Sequence, residues 1–299
     1  MADDYNVQGI VKMHRKTGRM IREDNTFVNQ ADYIYNSHRD YYKKVLDFPL
    51  EAAKGNVPNH TVIQKFGRNS AVGATFVPIC LSGFYRTPTS NTALEVVSTD
   101  VDDTFLGAGA RTIYYEGLQV QSGSLVVVSD VVELNGTTAV ALPDSLIRLY
   151  RWYVASSGTY ASQSAGSHQG DITIRQSGGG AVWSKIENNG FPRAQSQIGA
   201  YTVPTGYTAY VSKISYSVES DKTVDILMFK REGVLNTSAP YNAMTLVTEI
   251  NSATENYTID YDFPLKFEEE TDLGFLGKKS SGQDGAMTVD FEINLIENG

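Results

Sequence analysis

The stretch from Met287 to Leu295 alternates strictly between apolar and polar side chains, and no other feature constrains the fold of this 299-residue chain as much. Methionine, valine, phenylalanine, isoleucine and leucine share one parity, whereas threonine, aspartate, glutamate and asparagine share the other. Successive side chains of a β-strand point to opposite faces of its sheet, so the pattern predicts a strand with one buried face. Strand-like runs recur from Thr61 onward, and the sequence therefore predicts an all-β protein.

Turn signals and composition divide the chain into three expected regions. Residues 1–60 are expected to form an extended N-terminal arm followed by one helix, residues 61–203 a first β domain, and residues 204–299 a second. Both β domains are predicted to be antiparallel, β-sandwich-like and jelly-roll-like, because strand-length runs follow one another at the spacing of sandwich strands. The boundary near residue 203 is placed at Pro204-Thr205-Gly206, which opens a new series of strands.

One helical pattern is predicted, between Asn29 and Phe48. Asn29 can cap its first turn, and Pro49 is expected to end it. Large side chains recur between these positions at three- and four-residue steps, namely Ile34, His38, Tyr41, Tyr42, Val45 and Leu46.

Local signals in the β region predict particular turns and faces. Asn135-Gly136 predicts a type I′ hairpin, because that turn requires positive φ at both central residues. Ser177-Gly178-Gly179-Gly180 predicts a turn between two further strands. Alternation also predicts that one face of a later strand carries Tyr210, Ser212, Ile214, Tyr216 and Val218.

Composition limits the class of protein. Cys80 is the only cysteine, which excludes an intrachain disulfide, and its apolar neighbours predict a buried, inert thiol. This favours synthesis in a reducing cytosol or a fold that assembly stabilises. No apolar run reaches the roughly 18 residues of a membrane span, and the N-terminus lacks the basic start and apolar core of a signal peptide. We therefore expect no membrane partner.

The charge of the chain is unevenly distributed. The formal net charge is −9, but residues 1–70 hold 11 Lys and Arg against 8 Asp and Glu, a net charge of +3, so the remainder carries −12. An acidic body argues against nucleic-acid binding, whereas the basic leader can dock on an acidic partner surface. The residues expected to bind that partner are Lys12, Arg15, Lys16, Arg19, Arg22, Tyr41 and Tyr42.

Two series of short strings carry a resemblance to a known family. The first comprises Lys65-Phe66-Gly67-Arg68-Asn69, Ser98 to Thr104, Gly107 to Thr112, Gly117-Leu118 and Glu133 to Thr138. The second comprises Tyr201 to Tyr210, Phe263-Pro264-Leu265-Lys266-Phe267 and the carboxylate-rich Glu268 to Asp272. Over roughly residues 62–299 the chain resembles uncharacterised virion structural proteins of tailed bacteriophages. The resemblance implies a decoration protein, a head or neck fibre, or a tail accessory, and it transfers no catalytic residue.

Asp100, Asp102 and Asp103 are the residues most suggestive of a metal site. Counted from Asp100, the sixth residue is Phe105 and the twelfth is Thr112, so the EF-hand pattern fails. We expect a turn in which these side chains accept backbone hydrogen bonds, with an adventitious divalent cation as the alternative.

Three further clusters have both a chemical and a structural interpretation. His168 lies near Ser167 and Asp171 in a Ser- and Gly-rich stretch, and we expect it to be exposed without a carboxylate orienting its ring. The carboxylates from Glu268 to Asp272 are expected at a solvated strand end or interface rim, since glycosidases need two opposed carboxylates. Arg148, Tyr150, Arg151, Trp152 and Tyr153 could stack on sugars, but alternation favours core packing for Tyr150 and Trp152.

Taken together, these features predict a non-enzymatic structural virion component without cofactor or metal. It is expected to dock through its N-terminal arm on other virion proteins and to act as a homo-oligomer, with a trimer as one option, after assembly in the host cytoplasm. The alternative is a carbohydrate- or receptor-binding tail module that attaches to a host surface glycan through Tyr-rich loops such as Tyr153 to Tyr160. A polysaccharide-degrading enzyme has the least support.

Overall fold

The computed structural model describes the backbone at residues 4–7, 11–14, 19–22, 33–36 and 41–44, and describes residues 48–162, 164–188 and 193–299 in full apart from the side chain of Pro49. Contacts divide the chain into two compact units, Met1–Pro58 and Asn59–Gly299. Every described strand pairing is antiparallel. None of the described helical segments has the length and apolar character that crossing a membrane requires.

The first unit contains paired strands where an extended arm was expected. A three-stranded sheet is formed in chain order by β1 (Asp4–Val7), β2 (Val11–His14) and β3 (Arg19–Arg22). A two-stranded sheet follows, formed by β4 (Tyr33–Asn36) and β5 (Tyr41–Lys44), and then the helix α1 (Phe48–Ala53). The extended segments of this region therefore form backbone hydrogen bonds with one another, within the first unit.

The prediction of a helix between Asn29 and Phe48 is wrong, because strands β4 and β5 lie within that range. Tyrosine and isoleucine favour strands, and Tyr35 lies opposite Tyr42 across the β4–β5 pair. Pro49 was expected to end a helix, yet it lies in the first turn of α1. Proline is tolerated there because the first N–H groups of a helix have no intrahelical acceptor.

The second unit begins and ends in the same β-sandwich, which we call the outer-segment sandwich. Its four-stranded sheet has the order β19 (Tyr257–Phe267), β16 (Tyr207–Val218), β21 (Gly285–Glu297) and β6 (His60–Val72). Its facing sheet has the order β15 (Ala200–Thr202), β20 (Asp272–Ser281), β17 (Thr223–Arg231) and β18 (Thr245–Ala253), with β7 (Val77–Pro78) also paired to β20. Side chains of both sheets share one apolar core.

The chain between β7 and β15 forms another sandwich, which we call the inserted sandwich. One sheet has the order β10 (Ser124–Glu133), β9 (Ala110–Gln121) and β12 (Arg148–Ser157). The other has the order β11 (Val140–Leu146), β8 (Thr92–Ser98), β13 (Ile172–Gln176) and β14 (Val182–Ile186). Trp152 and Tyr115 are fully buried in its core, which confirms core packing for Trp152.

The all-β, sandwich-like fold class is thus confirmed, but the chain order within it differs from the expected division at residue 203. Strands β6 and β7 precede that residue, yet they pair with β21 and β20, which follow it. Sequence patterns mark strands and turns, whereas they do not show which distant strands pair. A sandwich interrupted by an insertion therefore looks like two successive domains in the sequence.

Strand β21 confirms the alternation that the sequence shows most clearly. Its apolar side chains at Met287, Val289, Phe291, Ile293 and Leu295 are at most 6% exposed, and the residues between them are half-buried. The strand lies between β16 and β6, so its backbone is paired on both sides.

Strand β16 departs from the predicted alternation because of a β-bulge. Its register with β21 shifts between Val211 and Lys213, where three residues of β16 lie opposite two residues of β21. Val211 and Ile214 are consequently both buried, and Tyr210 is only half-buried. The prediction that Tyr210 and Ser212 share the face of Ile214 is wrong for this reason.

The two turn predictions had different outcomes. The turn at Ser177 to Gly180 is confirmed, since it joins the paired strands β13 and β14. The prediction of a hairpin at Asn135-Gly136 is wrong, because the strands on either side, β10 and β11, belong to different sheets. Gly136 has a φ of 57°, and the segment crosses between the sheets of the inserted sandwich.

Candidate binding trough and free edge

The residues predicted to bind a partner lie in the first unit. Arg15 and Lys16 fall outside the described residues. Lys12, Arg19 and Arg22 lie on paired strands β2 and β3, with Lys12 opposite Ile21. Tyr41 and Tyr42 lie on β5, in the separate two-stranded sheet. The backbone therefore brings three of the five basic residues into one sheet, and their partner-binding role stays a prediction.

Asp103 organises the loops at one end of the inserted sandwich. Its buried carboxylate accepts hydrogen bonds from the backbone N–H groups of Ala110 and Gln169, both at 2.8 Å, and of Gly170 at 2.9 Å. The hydroxyl of Ser98 donates a fourth at 2.6 Å. Within the described residues, no group of three or more acidic, histidine or cysteine side chains is placed to hold a metal ion.

Asp100 and Asp102 complete the same turn. A carboxylate oxygen of Asp100 accepts a hydrogen bond from the backbone N–H of Asp102 at 2.8 Å, and the carbonyl of Asp102 accepts one from Gly109 at 2.9 Å. The turn interpretation is therefore confirmed for the carboxylates of Asp100 and Asp103. These hydrogen bonds give both carboxylates a structural role in the loop.

His168 was expected to be exposed, and this prediction is wrong. The residue is only 3% exposed, and neither ring nitrogen has a hydrogen-bond partner among the described residues. The neighbouring Asp171 instead forms an ion pair with Lys185 at 2.8 Å. In the described part of this loop, His168 therefore forms no Ser–His–Asp unit, since its ring nitrogens bond neither Ser167 nor Asp171.

Asp272 was expected at a solvated strand end, but it is 1% exposed. Arg148 donates two hydrogen bonds to its carboxylate, from Nε and Nη2, both at 2.8 Å. The hydroxyl of Thr202 and Nη2 of Arg231 each donate one more at 2.6 Å. Burial acts to raise the pKa of Asp272, but the hydrogen bonds and charge of Arg148 outweigh it, so the pKa lies below its usual value.

Sequence reasoning missed this pair because 124 residues separate its members. The one available signal was the position of Arg148 inside the apolar run from Leu146 to Leu149. An arginine surrounded by apolar residues on a strand is expected to be buried with a partner. Because β12 and β20 carry the two residues, the pair connects the inserted sandwich to the outer-segment sandwich.

Two further titratable side chains lie in the interior. Lys65 is 5% exposed and donates a hydrogen bond to the carbonyl of Tyr150, and burial lowers its pKa to about 8. Cys80 is 1% exposed, and burial raises the pKa of its thiol to about 12, which confirms a buried and unreactive cysteine.

A surface depression, which we call the trough, lies on the outer face of the sheet β19-β16-β21-β6. It consists of two adjoining cavities of about 530 and 440 Å³ that share Phe66, Arg193 and Gln197. The larger cavity extends over β16 and β21 to Tyr257 at the start of β19, and the smaller one extends to Tyr153 on β12.

The trough exists because the chain crosses close to β6. A Cβ atom added to Gly67 would lie 2.1 Å from the carbonyl oxygen of Ile79 and 2.3 Å from the backbone nitrogen of Gly199. Only glycine permits this approach. It places residues 193–197, which precede Gly199, beside Phe66. The remaining floor carries hydroxyl groups, and the pair Ser215 and Thr258 lies at an Oγ–Oγ1 distance of 3.0 Å.

The outer-segment sandwich also has an unpaired edge, which we call the free edge. It comprises β18 and β19, the end strands of the two facing sheets, which have no further strand beside them among the described residues. Large apolar side chains are exposed along it, including Leu246 at 56% and Phe263 at 89%. Met244 and Tyr241, just before β18, are 54% and 65% exposed.

Comparison with known proteins gives little guidance. No protein-family model matches the sequence, and no curated protein matches it. Among solved structures, the infectious bursal disease virus Gx strain has 10% identity over 80% of this chain and 71% of that chain, with a TM-score of 0.25. The VP2 subviral particle of infectious bursal disease virus has 10% identity over 85% and 78%, with a TM-score of 0.21.

A third solved structure has a different origin. The Bacillus thuringiensis Cry1Da tryptic core variant has 9% identity over 76% of this chain and 53% of that chain, with a TM-score of 0.16. At these identities and TM-scores the likenesses carry no argument about fold or function. The architecture described above rests on the strand pairing of this chain alone.

Proposed function

We propose that the chain is a non-enzymatic structural component of a virus particle and that copies of it assemble through the free edge. The observation that carries the proposal is the exposure of large apolar side chains along two consecutive end strands. The resemblance of residues 62–299 to virion proteins of tailed bacteriophages supports a decoration, neck or fibre position. Assembly in the host cytoplasm agrees with the lone, buried Cys80, which needs no oxidising compartment.

The two strands of the free edge are not equally suited to assembly. An uncovered edge strand offers unpaired N–H and C=O groups to another chain, and proteins usually blunt it with charge or proline. β19 contains Asp260, Asp262 and Pro264, whereas Glu249 is the one charged residue of the nine-residue β18. We therefore assign β18 as the strand that pairs with β18 of a second copy, in an antiparallel and twofold-symmetric contact.

The first unit supplies the proposed anchor to the particle. Its basic residues, including Lys12, Arg19 and Arg22, suit an acidic surface on another virion protein. The compact division at Pro58 means that this unit can be removed without cutting a strand of either sandwich. Anchoring and self-assembly are thus assigned to different parts of the chain.

The experiment that tests self-assembly is sedimentation velocity of the purified chain. Leu246→Lys places a charge on the free edge and should shift the protein to monomer, because a desolvated unpaired charge opposes the contact. Val131→Lys is the matched control, since Val131 is 52% exposed on β10, away from that edge. A wild-type monomer, or a Leu246→Lys variant that still assembles, would contradict the proposal. A trimer would contradict the twofold contact alone.

A second candidate function, attachment to a host surface glycan, is favoured by the trough. Tyr257, Phe66 and Tyr153 lie along it, and aromatic side chains among hydroxyl groups are suited to sugar rings. Fluorescently labelled protein should then bind host cells, and enzymatic removal of surface glycans should abolish that binding. Binding that survives glycan removal would indicate a protein receptor instead.

A further inference from the structure

Strand β10 of the inserted sandwich is an end strand with valine side chains exposed on both of its faces. Among the described residues it pairs with β9 alone. Val127 and Val131, on one face, are 44% and 52% exposed, and Val126, on the other face, is 37% exposed. Valine on both faces is typical of a strand that is covered on both. The open side of β10 is therefore suited to a further strand.

The backbone of β10 presents hydrogen-bonding groups on that open side. Both groups of Leu125 point away from β9, since its N–H donates to Oγ1 of Thr205 at 2.8 Å and its carbonyl accepts from the N–H of Thr205 at 3.1 Å. This orientation alternates along a paired strand, and the register of β10 with β9 is unbroken. The residues that turn their N–H and C=O groups to the open side are therefore Val127, Ser129, Val131 and Glu133, which we call the β10 edge.

The β10 edge is accessible, because all four of its residues are exposed. Among the described residues, one side chain occupies its backbone groups: Oδ1 of Asp130 accepts a hydrogen bond from the N–H of Val131 at 2.7 Å. An extended polypeptide is the ligand that matches the remaining groups, since its own N–H and C=O groups repeat with the same two-residue period.

Carboxylates surround the β10 edge. Asp130 and Glu133 are exposed, and β10 contains neither lysine nor arginine. Glu270 lies at the start of the strand, where it accepts a hydrogen bond from the hydroxyl of Thr205 at 3.0 Å. Pairing of β10 with β10 of a second copy would bring two such sets of carboxylates together, which opposes the contact.

Basic groups on the neighbouring strands do not cancel this charge. Arg151 on β12 is paired with Glu116 on β9 at 3.1 Å, so these two side chains add no net charge. Arg111 on β9 adds one positive charge against the three carboxylates, which leaves a net charge of −2. The charges therefore favour a partner strand that carries lysine or arginine.

We propose that the β10 edge binds an extended segment of another protein, which joins the sheet as a further strand and carries both apolar and basic side chains. Its apolar side chains pack on Val127 and Val131, and its cations lie near Asp130 and Glu133. The free edge belongs to the outer-segment sandwich, so this contact is separate from the assembly of copies through β18.

The test measures binding of three capped, fluorescently labelled peptides of about nine residues to the full-length chain by fluorescence anisotropy. The first peptide alternates valine and lysine. The second has glutamate in place of lysine, and the third is the lysine peptide with a methyl group on every backbone nitrogen. The lysine peptide should bind and should protect the amides of β10 from hydrogen exchange. The other two should bind about tenfold more weakly or less, because one is repelled and the other lacks backbone donors.

Two variants of equal charge change locate the binding site. Val127→Lys should weaken binding of the lysine peptide about tenfold, whereas Leu246→Lys on β18 should leave it unchanged. Both positions are exposed, so the melting temperatures should stay close to that of the wild type.

Several results would overturn the proposal. Absence of binding by the lysine peptide, or equal binding of the methylated peptide, would exclude pairing of a strand with β10. Equal binding of the glutamate peptide would exclude a basic partner. Binding that Val127→Lys retains and Leu246→Lys loses would place the peptide at β18 instead. A change in sedimentation caused by Val127→Lys would show that a second copy covers the β10 edge. Assembly through β18 is tested separately, by the sedimentation of Leu246→Lys.

Discussion

Arg148 and Asp272 form a buried ion pair between the inserted sandwich and the outer-segment sandwich. Nη2 of Arg148 lies 2.8 Å from Oδ2 of Asp272, and both side chains are 1% exposed. Arg231 shares the same carboxylate oxygen, and Thr202 donates to the other. Without Arg148 the buried carboxylate would keep one counter-ion, Arg231, whose side chain is 29% exposed, so the Arg148–Asp272 contact stabilises the junction between the two sandwiches.

We predict that Arg148→Met lowers the free energy of unfolding by about 3 kcal/mol, because Asp272 then keeps only its bonds to Arg231 and Thr202. Urea denaturation measures the change. Arg151→Met is the control, since Arg151 forms an exposed ion pair with Glu116 at 3.1 Å and should cost about 0.5 kcal/mol. Equal losses from the two variants would show that the buried pair is not structural.

The next prediction concerns the central strand β21. Phe291→Asp should yield insoluble protein or a loss of several kcal/mol, since Phe291 is fully buried and packs on Phe275 with a centroid distance of 5.2 Å. Glu292→Lys, on the opposite face, should cost about 0.5 kcal/mol or less. Thermal melting distinguishes the two. Similar damage from both variants would mean that another part of the assembly covers the outer face.

Lys65 predicts a specific dependence of stability on pH. Its pKa is about 8 in the folded chain because of burial, whereas an exposed lysine has a pKa near its ordinary 10.5. Between these values the unfolded chain binds more protons than the folded chain, so stability rises with pH. The rise attributable to Lys65 between pH 8 and 9.5 should be about 1–2 kcal/mol.

Lys65→Met should remove that rise, because methionine does not titrate. Urea denaturation of wild type and variant at pH 7.5, 8.5 and 9.5 gives the comparison. The wild type should gain stability relative to the variant as the pH increases. Parallel pH profiles would show that Lys65 stays protonated in the folded chain over this range.

Deletion of residues 1–58 tests the proposed anchor. The remaining residues form a compact unit by themselves, so the truncated chain should be soluble and should melt at a temperature close to that of the full chain. It should fail to join particles when it replaces the full chain during infection. A variant with Lys12, Arg19 and Arg22 changed to Gln should show a weaker form of the same defect. Normal occupancy of the truncated chain would place the anchor elsewhere.

The sequence predicted those parts of the fold that depend on neighbouring residues. The alternation of β21, the turn hydrogen bond that Asp100 accepts from Asp102 and the burial of Trp152 follow from local pattern, and the structure confirms each of them. The prediction of a helix between Asn29 and Phe48 failed because the large side chains of this tyrosine-rich segment fit the spacing of a helix and of a strand alike. Tertiary pairing of β4 with β5 decided between them.

The remaining features depend on contacts between distant residues. The bulge in β16 changes which side chains face the core, and no local pattern marks it. Arg148 meets Asp272 only because β12 and β20 are brought together by the insertion. The trough likewise depends on the close approach of Gly199 to Gly67, which gives no signal in the sequence. Glycines at both positions are compatible with many folds.

If this chain is a structural part of a virus particle, purified particles should contain it. Particles banded by density should be analysed by quantitative mass spectrometry, with immunogold labelling against residues 59–299. A structural component should be present at a fixed, multiple copy number per particle, with label at one recurrent location. Peptides of this chain that stay in the soluble fraction, with unlabelled particles, would contradict it.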